Sequence, residues 1–112
     1  MAVQVIINQQ KGPLPVNATF NAPSDAPIFL EVTGSVWTQT ANALIGIEIA
    51  LDGLIIGTAQ IFSNTQGTHR AVVPAYLPIQ LKQGQHTLTL SPISGSTTVS
   101  DFNDFFTAVL HY

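Results

Sequence analysis

The sequence predicts an all-β protein, an antiparallel β-sandwich of the jelly-roll type with about eight to ten strands. Three observations carry this. Short β-prone runs recur at regular spacing along the 112 residues, each bounded by Gly, Pro, Asn, Asp or Ser. No window holds a sustained apolar stripe at helical spacing, and the 8 glycines and 7 prolines are spread throughout. An Asp-Gly pair, Asp52-Gly53, sits between two strongly β-prone runs and is the strongest hairpin signal in the chain.

Residues 3–7 open with a β-branched run. Gly12, Pro13 and Pro15 interrupt, and residues 16–20 read as a short edge piece, because proline lacks the N–H that a central strand donates. Pro23, Ser24 and Asp25 supply turn chemistry to residues 21–26. Pro27 then opens a long strand, 28–38, with Ile28, Leu30, Val32 and Val36 on one face. Gly34 in its middle predicts a bulge or a close backbone approach. Residues 40–42 form a loop, and residues 44–51 place Ile45, Ile47, Ile49 and Leu51 on one side. Asp52-Gly53 provides the positive φ angles of a two-residue type I′ turn, returning the chain as strand 54–62. Residues 63–68 are a polar loop. Residues 69–81 are extended, but Pro74 and Pro78 exclude a central, fully paired strand. Gln83-Gly84 turns into strand 86–90, residues 92–98 are a flexible loop, and the last strand runs from about Phe105 to Tyr112.

That last strand is unusual on both sides. Phe106, Ala108, Leu110 and Tyr112 share one face, and Phe105, Thr107, Val109 and His111 share the other. A sheet with one wet face alternates apolar with polar residues. Here both faces are largely apolar, which predicts cover on both: the core on one side and a second subunit on the other, with a loop of the same chain as the alternative. Phe105, Phe106, Leu110 and Tyr112 are the expected interface residues. Composition points the same way, with 46% hydrophobic and only 8% charged residues, so little repulsion opposes association.

Composition also excludes functions. A chain of 112 residues predicts one domain, 1–112, able to bury a core without staples. The net charge is −3, and Lys11, Arg70 and Lys82 are scattered, so the clustered cations that nucleic-acid binding requires are missing. The longest apolar stretch, 43–56, is broken by Gly46, Glu48, Asp52 and Gly53 and falls short of the roughly 20 residues that span a bilayer. No basic segment followed by an apolar one opens the chain. The expectation is a protein without membrane insertion, synthesised in the cytoplasm, with non-classical export or association with a particle as alternatives. There is no cysteine and hence no disulfide.

Two stretches near the end, "LKQGQHTLTLSP" and "SDFNDFFTAVLHY", carry a family resemblance. Gly84, His86, Thr87, Leu88 and Leu90 of the first, with Asp101, Asn103, Asp104 and Phe106 of the second, resemble the closing strands of the tumour-necrosis-factor-like jelly rolls. That superfamily includes the globular heads of complement and collagen-tailed proteins and small bacterial and phage relatives. The resemblance covers about the last thirty residues, and the remainder only by strand count and length. It implies a homotrimer packed through its terminal strands, with aromatics on the three-fold axis. It implies no single activity, because the fold hosts cytokines, lectins and structural tips alike.

The corner at Asp101–Asp104 has three readings. It is a calcium loop with Asp101, Asn103 and Asp104 as hard oxygen ligands, a carboxylate pair for acid–base chemistry, or a turn whose side chains satisfy the backbone. The last is simplest, since calcium takes six to eight oxygens and a glycosidase pair needs an enclosing cleft. His69, His86 and His111 make no His-x-His pair. His111 recurs three times if it lies near a three-fold axis, where symmetry would assemble a metal ligand set; otherwise it is an end-of-strand polar residue. A nucleophile elbow and a phosphate cradle are both absent from the sequence.

Carbohydrate fits a low-charge surface better, because sugars are held by neutral hydrogen-bonding groups and an aromatic face. The expected ligand residues are Trp37, which otherwise belongs to the core, Asn64, Gln66, His69 and Arg70 of the most polar loop, and Tyr76. The expected function is therefore a non-enzymatic, trimeric, lectin-like module that holds neutral glycans at loops between subunits. The alternatives are a structural component of a particle or fibre tip with no small ligand, and, last, a metal-dependent enzyme. No cofactor is expected other than calcium at the Asp101–Asp104 corner.

Overall fold

Alternating burial along each strand forces two sheets to close face to face. The structure, a computed structural model, describes residues 2–112 and contains ten strands and no helix among them. In chain order these are β1 (Val3–Lys11), β2 (Val16–Ala22), β3 (Ile28–Thr38), β4 (Ala43–Leu51), β5 (Leu54–Ser63), β6 (Arg70–Ala71), β7 (Ala75–Ile79), β8 (Gly84–Pro92), β9 (Thr98–Val99) and β10 (Phe105–His111). One sheet has the order β1-β10-β3-β6, with β7 and β9 also pairing β3; the other has the order β2-β8-β4-β5. Every pairing is antiparallel.

β3 is the spine of the first sheet. Its inward residues Ile28, Leu30, Val32 and Val36 are buried together with Phe106, Ala108 and Leu110 of β10. Ile45, Ile47 and Ile49 of β4, with Leu88 and Leu90 of β8, close the core from the second sheet. Gly34 marks a close approach: a Cβ there would fall 2.5 Å from Cδ1 of Phe106. The Asp52-Gly53 turn has φ of 50° and 83°, the two positive angles that its type demands. β7 pairs with β3 on one side only, as its prolines require, with Pro78 opposite Phe29.

The structure departs from expectation at three places. β1 runs on to Lys11, through polar residues that an edge strand tolerates because one of its faces is wet. Its register with β10 shifts twice, between Val5 and Ile7 and between Ile7 and Gln10. Within the 92–98 loop, Thr98 joins Val99 as β9 against Trp37 and Thr38. The third departure concerns the interface residues. Phe106 and Leu110 are 0% exposed, enclosed between the two sheets of their own chain. They have no surface to offer a neighbour, whereas Phe105 and Tyr112 remain exposed.

Among the described residues, the outer face of the first sheet is open toward one end, where Val3, Val5, Phe29 and Tyr76 are each more than half exposed. The register aligns Val5 with Val109, Val109 with Glu31, and Glu31 with Tyr76, so these side chains share one surface.

Candidate functional site

The outer face of β3 changes character along its length. Phe29 and Glu31 lie at one end; Thr33, Ser35 and Trp37 lie at the other. Thr33 pairs with Thr107 of β10, bringing hydroxyls side by side. Beside them, Gln9 of β1 takes a φ of 46°, which a non-glycine residue rarely adopts. Its backbone N–H donates to Thr107 Oγ1 at 3.1 Å instead of to a ladder carbonyl. Such irregularities re-aim side chains next to binding sites. The result is a trough of about 510 Å³, lined by Gln9, Thr33, Ser35 and Thr107 with Phe105 and Pro74, and without a charged residue among its lining.

At the end of this trough, Ser35 connects to a carboxylate. Its hydroxyl donates to Asp104 Oδ1 at 2.7 Å. Asp104 is 0% exposed. His69 Nδ1 donates to the same oxygen at 2.7 Å, and the Asp101 N–H donates to Oδ2 at 2.9 Å. Three donors therefore satisfy a buried charge that would otherwise be costly. Asp101 holds the same turn from the other end, its Oδ1 accepting from the Asn103 N–H at 2.8 Å. The His69 Nε2 lies 3.7 Å from Asp101 Oδ2. The His69 ring packs against Trp37, centroids 5.7 Å apart at 37°, and the Trp37 Nε1 is enclosed without a hydrogen-bond partner. His69, Asp101 and Asp104 thus bring three ligand-type atoms within 4.8 Å of one another.

Of the residues expected to bind ligand, Trp37 and His69 come together here. Arg70 follows on β6, half-buried and paired with Val36, while Asn64 and Gln66 are exposed in the preceding loop. Tyr76 does not join them. It pairs with Glu31, six residues from Trp37 along β3 and hence about 20 Å away at the usual strand rise. Its hydroxyl donates to Glu31 Oε2 at 3.0 Å, and His111 Nε2 hydrogen-bonds Glu31 Oε1 at 2.7 Å. His111 consequently stands apart from Asp101, Asn103 and Asp104: β10 carries it to the opposite end of the sheet. In its place the fold delivers His69, from a loop 35 residues away in sequence. Gln9, Thr33, Ser35 and Thr107 were not among the expected ligand residues. The one sequence signal for them is the polar side of β3 and β10, with Thr33, Ser35 and Thr107 opposite the core positions.

His86 belongs to a separate pair. Its Nδ1 faces Asp52 Oδ2 at 2.6 Å and its Nε2 faces the Lys82 carbonyl at 2.7 Å, two acceptors that favour the imidazolium form, in which both nitrogens donate. The Asp52 hydrogen bond, then the Lys82 carbonyl, raise the His86 pKa; His86, then the Thr87 N–H, lower that of Asp52. A larger cleft, about 720 Å³, opens between β5 and β7, but Leu54, Ile56, Leu77, Ile79 and Leu81 make it apolar and little suited to a polar ligand.

No protein-family model matches the chain, and no curated protein sequence matches it. Solved structures do. The chain is similar to the CBM36-1 domain of a multidomain xylanase from the hindgut metagenome of Trinervitermes trinervoides, at TM-score 0.53 and 10% identity, covering 99% of this chain and 98% of that one. It is similar to the insecticidal delta-endotoxin Cry8Ea1 from Bacillus thuringiensis, at TM-score 0.51 and 12% identity, over 85% of this chain and 17% of that one. It is also similar to an exo-β-1,3-galactanase from Phanerochaete chrysosporium, at TM-score 0.50 and 10% identity, covering 99% of this chain but spanning only 30% of the enzyme. None of these three is a tumour-necrosis-factor-like head. What the likenesses establish is the architecture: an all-β jelly roll of two antiparallel sheets.

Proposed function

We propose that this chain is a non-enzymatic, single-domain binding module whose trough on the outer face of the first sheet takes a neutral glycan. The observation that carries this reading is the lining of the trough, four hydroxyl- or amide-bearing side chains beside the half-exposed ring of Phe105, with no charge among them. Sugar hydroxyls pair with neutral donors and acceptors, and the apolar face of a pyranose stacks on an aromatic ring. A volume of about 510 Å³ is in the range of small-molecule sites. The rigid sheet holds these groups in place before the ligand arrives, which lowers the ordering cost of binding. Sharing a fold with a domain of a xylanase is consistent with this reading. The test is titration of neutral xylo-, cello- and galacto-oligosaccharides by calorimetry, with Phe105→Ala as control. Saturable binding weakened about tenfold in Phe105→Ala supports the reading; binding unchanged by that substitution, or none at all, refutes it.

A second reading rests on the other half of the same face, where Val3, Val5, Phe29 and Tyr76 are exposed together. Copies of the chain would associate there as a tumour-necrosis-factor-like trimer, leaving the troughs free at the opposite end. Without a glycan, this is the particle or fibre-tip role. Light scattering tests it: a mass three times the 11.9 kDa chain supports a trimer, and a monomer at high concentration refutes it.

A further inference from the structure

We propose that His69 Nε2 and the Asp101 carboxylate form a site for a divalent transition-metal ion of the zinc type, with Asp104 as the group that orients the imidazole. Asp104 is engaged within the fold. Its two oxygens already accept from Ser35, His69 and the Asp101 N–H, and none of the side chain is exposed. It is not an open ligand. It fixes the proton of His69 on Nδ1, which leaves the Nε2 lone pair directed outward, the arrangement in which carboxylates support metal-bound histidines.

Asp101 is fixed as well. Its Oδ1 is held by the Asn103 N–H, and its Oδ2 stands 3.7 Å from His69 Nε2. That separation is too long for a hydrogen bond. It is the span of two ligands on one ion: bonds of about 2.0–2.2 Å to nitrogen and oxygen would meet at an angle of about 115–135°. The His69 and Asp101 side chains are 35% and 38% exposed, so water completes the coordination. The donor set decides the class of ion. Imidazole suits zinc, copper and nickel, whereas calcium asks for six to eight oxygens, far more than the exposed Asp101 carboxylate supplies.

The protein carries its own reporter, because Trp37 is the only tryptophan and its ring lies 5.7 Å from that of His69. Nickel added to the intact chain should quench its fluorescence saturably, and zinc should relieve the quenching by displacement. Calorimetry with zinc gives a measure that does not depend on Trp37. Both signals should vanish in His69→Ala and Asp101→Asn and persist in His86→Ala and His111→Ala. Ser35→Ala, which loosens Asp104 without removing a ligand, should weaken binding up to about tenfold, at the low end for groups that position a ligand. Circular dichroism checks that each variant is folded. Absence of saturable binding overturns the proposal, as does loss of binding in His111→Ala. Millimolar calcium that competes with zinc also overturns it, by making the corner a hard-cation loop.

Discussion

Gly34→Ala is a small change with a calculable cost. The added methyl carbon would lie 2.5 Å from Phe106 Cδ1, 3.0 Å from Ile47 Cδ1 and 3.0 Å from the Phe105 carbonyl oxygen. The two side chains have no room to retreat, since Phe106 and Ile47 are both 0% exposed, and the third neighbour is backbone. Overpacking of this kind costs about 1–3 kcal/mol. Against it stands the loss of glycine's freedom in the unfolded chain, a gain of about 0.5–1 kcal/mol for alanine in a strand. The net loss is up to about 2.5 kcal/mol, which for a chain of this length lowers Tm by up to about 12 °C. Differential scanning calorimetry reads the shift directly. A double-mutant cycle makes the reasoning specific: Phe106→Ala alone should cost about 3–5 kcal/mol, but in that background Gly34→Ala should cost nothing or stabilise, a coupling of about 1–2 kcal/mol. Additive effects, or a stabilised Gly34→Ala single variant, would refute the placement of Phe106 over Gly34.

Three further outcomes are expected. The His86–Asp52 pair should stabilise the fold within a pH window whose sign follows from the two shifts. The His86 contribution is full below its ordinary 6.5 and is lost as pH rises through its raised value; the Asp52 contribution is present above 3.8 and is lost as pH falls through its lowered value. The stability difference between the protein and His86→Gln should therefore be largest between those limits, and a difference that is flat from pH 5 to pH 9 in urea titrations would contradict the pairing. Phe105→Ala should weaken glycan binding about tenfold, equal to about 1.4 kcal/mol and typical of an aromatic contact, while moving the urea midpoint little, since the ring is 45% exposed. Phe29→Glu should leave the fold intact and abolish self-association by light scattering; an unchanged mass for an assembled protein would move the interface elsewhere.

The parts of this architecture that the sequence announced are those where side-chain alternation and turn chemistry agree. Residues 28–38 form β3 with the boundaries expected, because Pro27 starts an apolar alternation and a polar loop ends it. The β4–β5 hairpin follows from Asp52-Gly53. β1 beyond Ile7 was illegible, since an exposed edge needs no apolar alternation and the positive φ of Gln9 has no compositional sign. The trough was illegible for the same reason. Trp37 and His69 were expected as separate ligand residues, one on a strand and one in the most polar loop; their meeting, and the partnership of His69 with Asp104, depend on contacts across about 30 or more residues of sequence. His111 was expected as a metal ligand only through its recurrence about a three-fold axis, and the fold sets it well apart from the Asp101–Asp104 corner despite their closeness in sequence. Along an extended strand such closeness is distance: seven residues from Asp104, at about 3.3 Å each, is about 23 Å.

The place of β10 in the first sheet bears on how the molecule comes into being. β1 is made well before β10, its hydrogen-bonded neighbour, and β10 also fills the gap between β1 and β3. On the ribosome, β1 must wait unpaired until about a hundred further residues have emerged, a topology in which distant closure sets the folding rate. Until then the β-branched run at residues 3–7 is open to other chains. A chain stopped before Phe105 would leave β1 without a neighbour and the inner face of β3 without Phe106, Ala108 and Leu110, so such fragments should aggregate, not form a smaller sandwich.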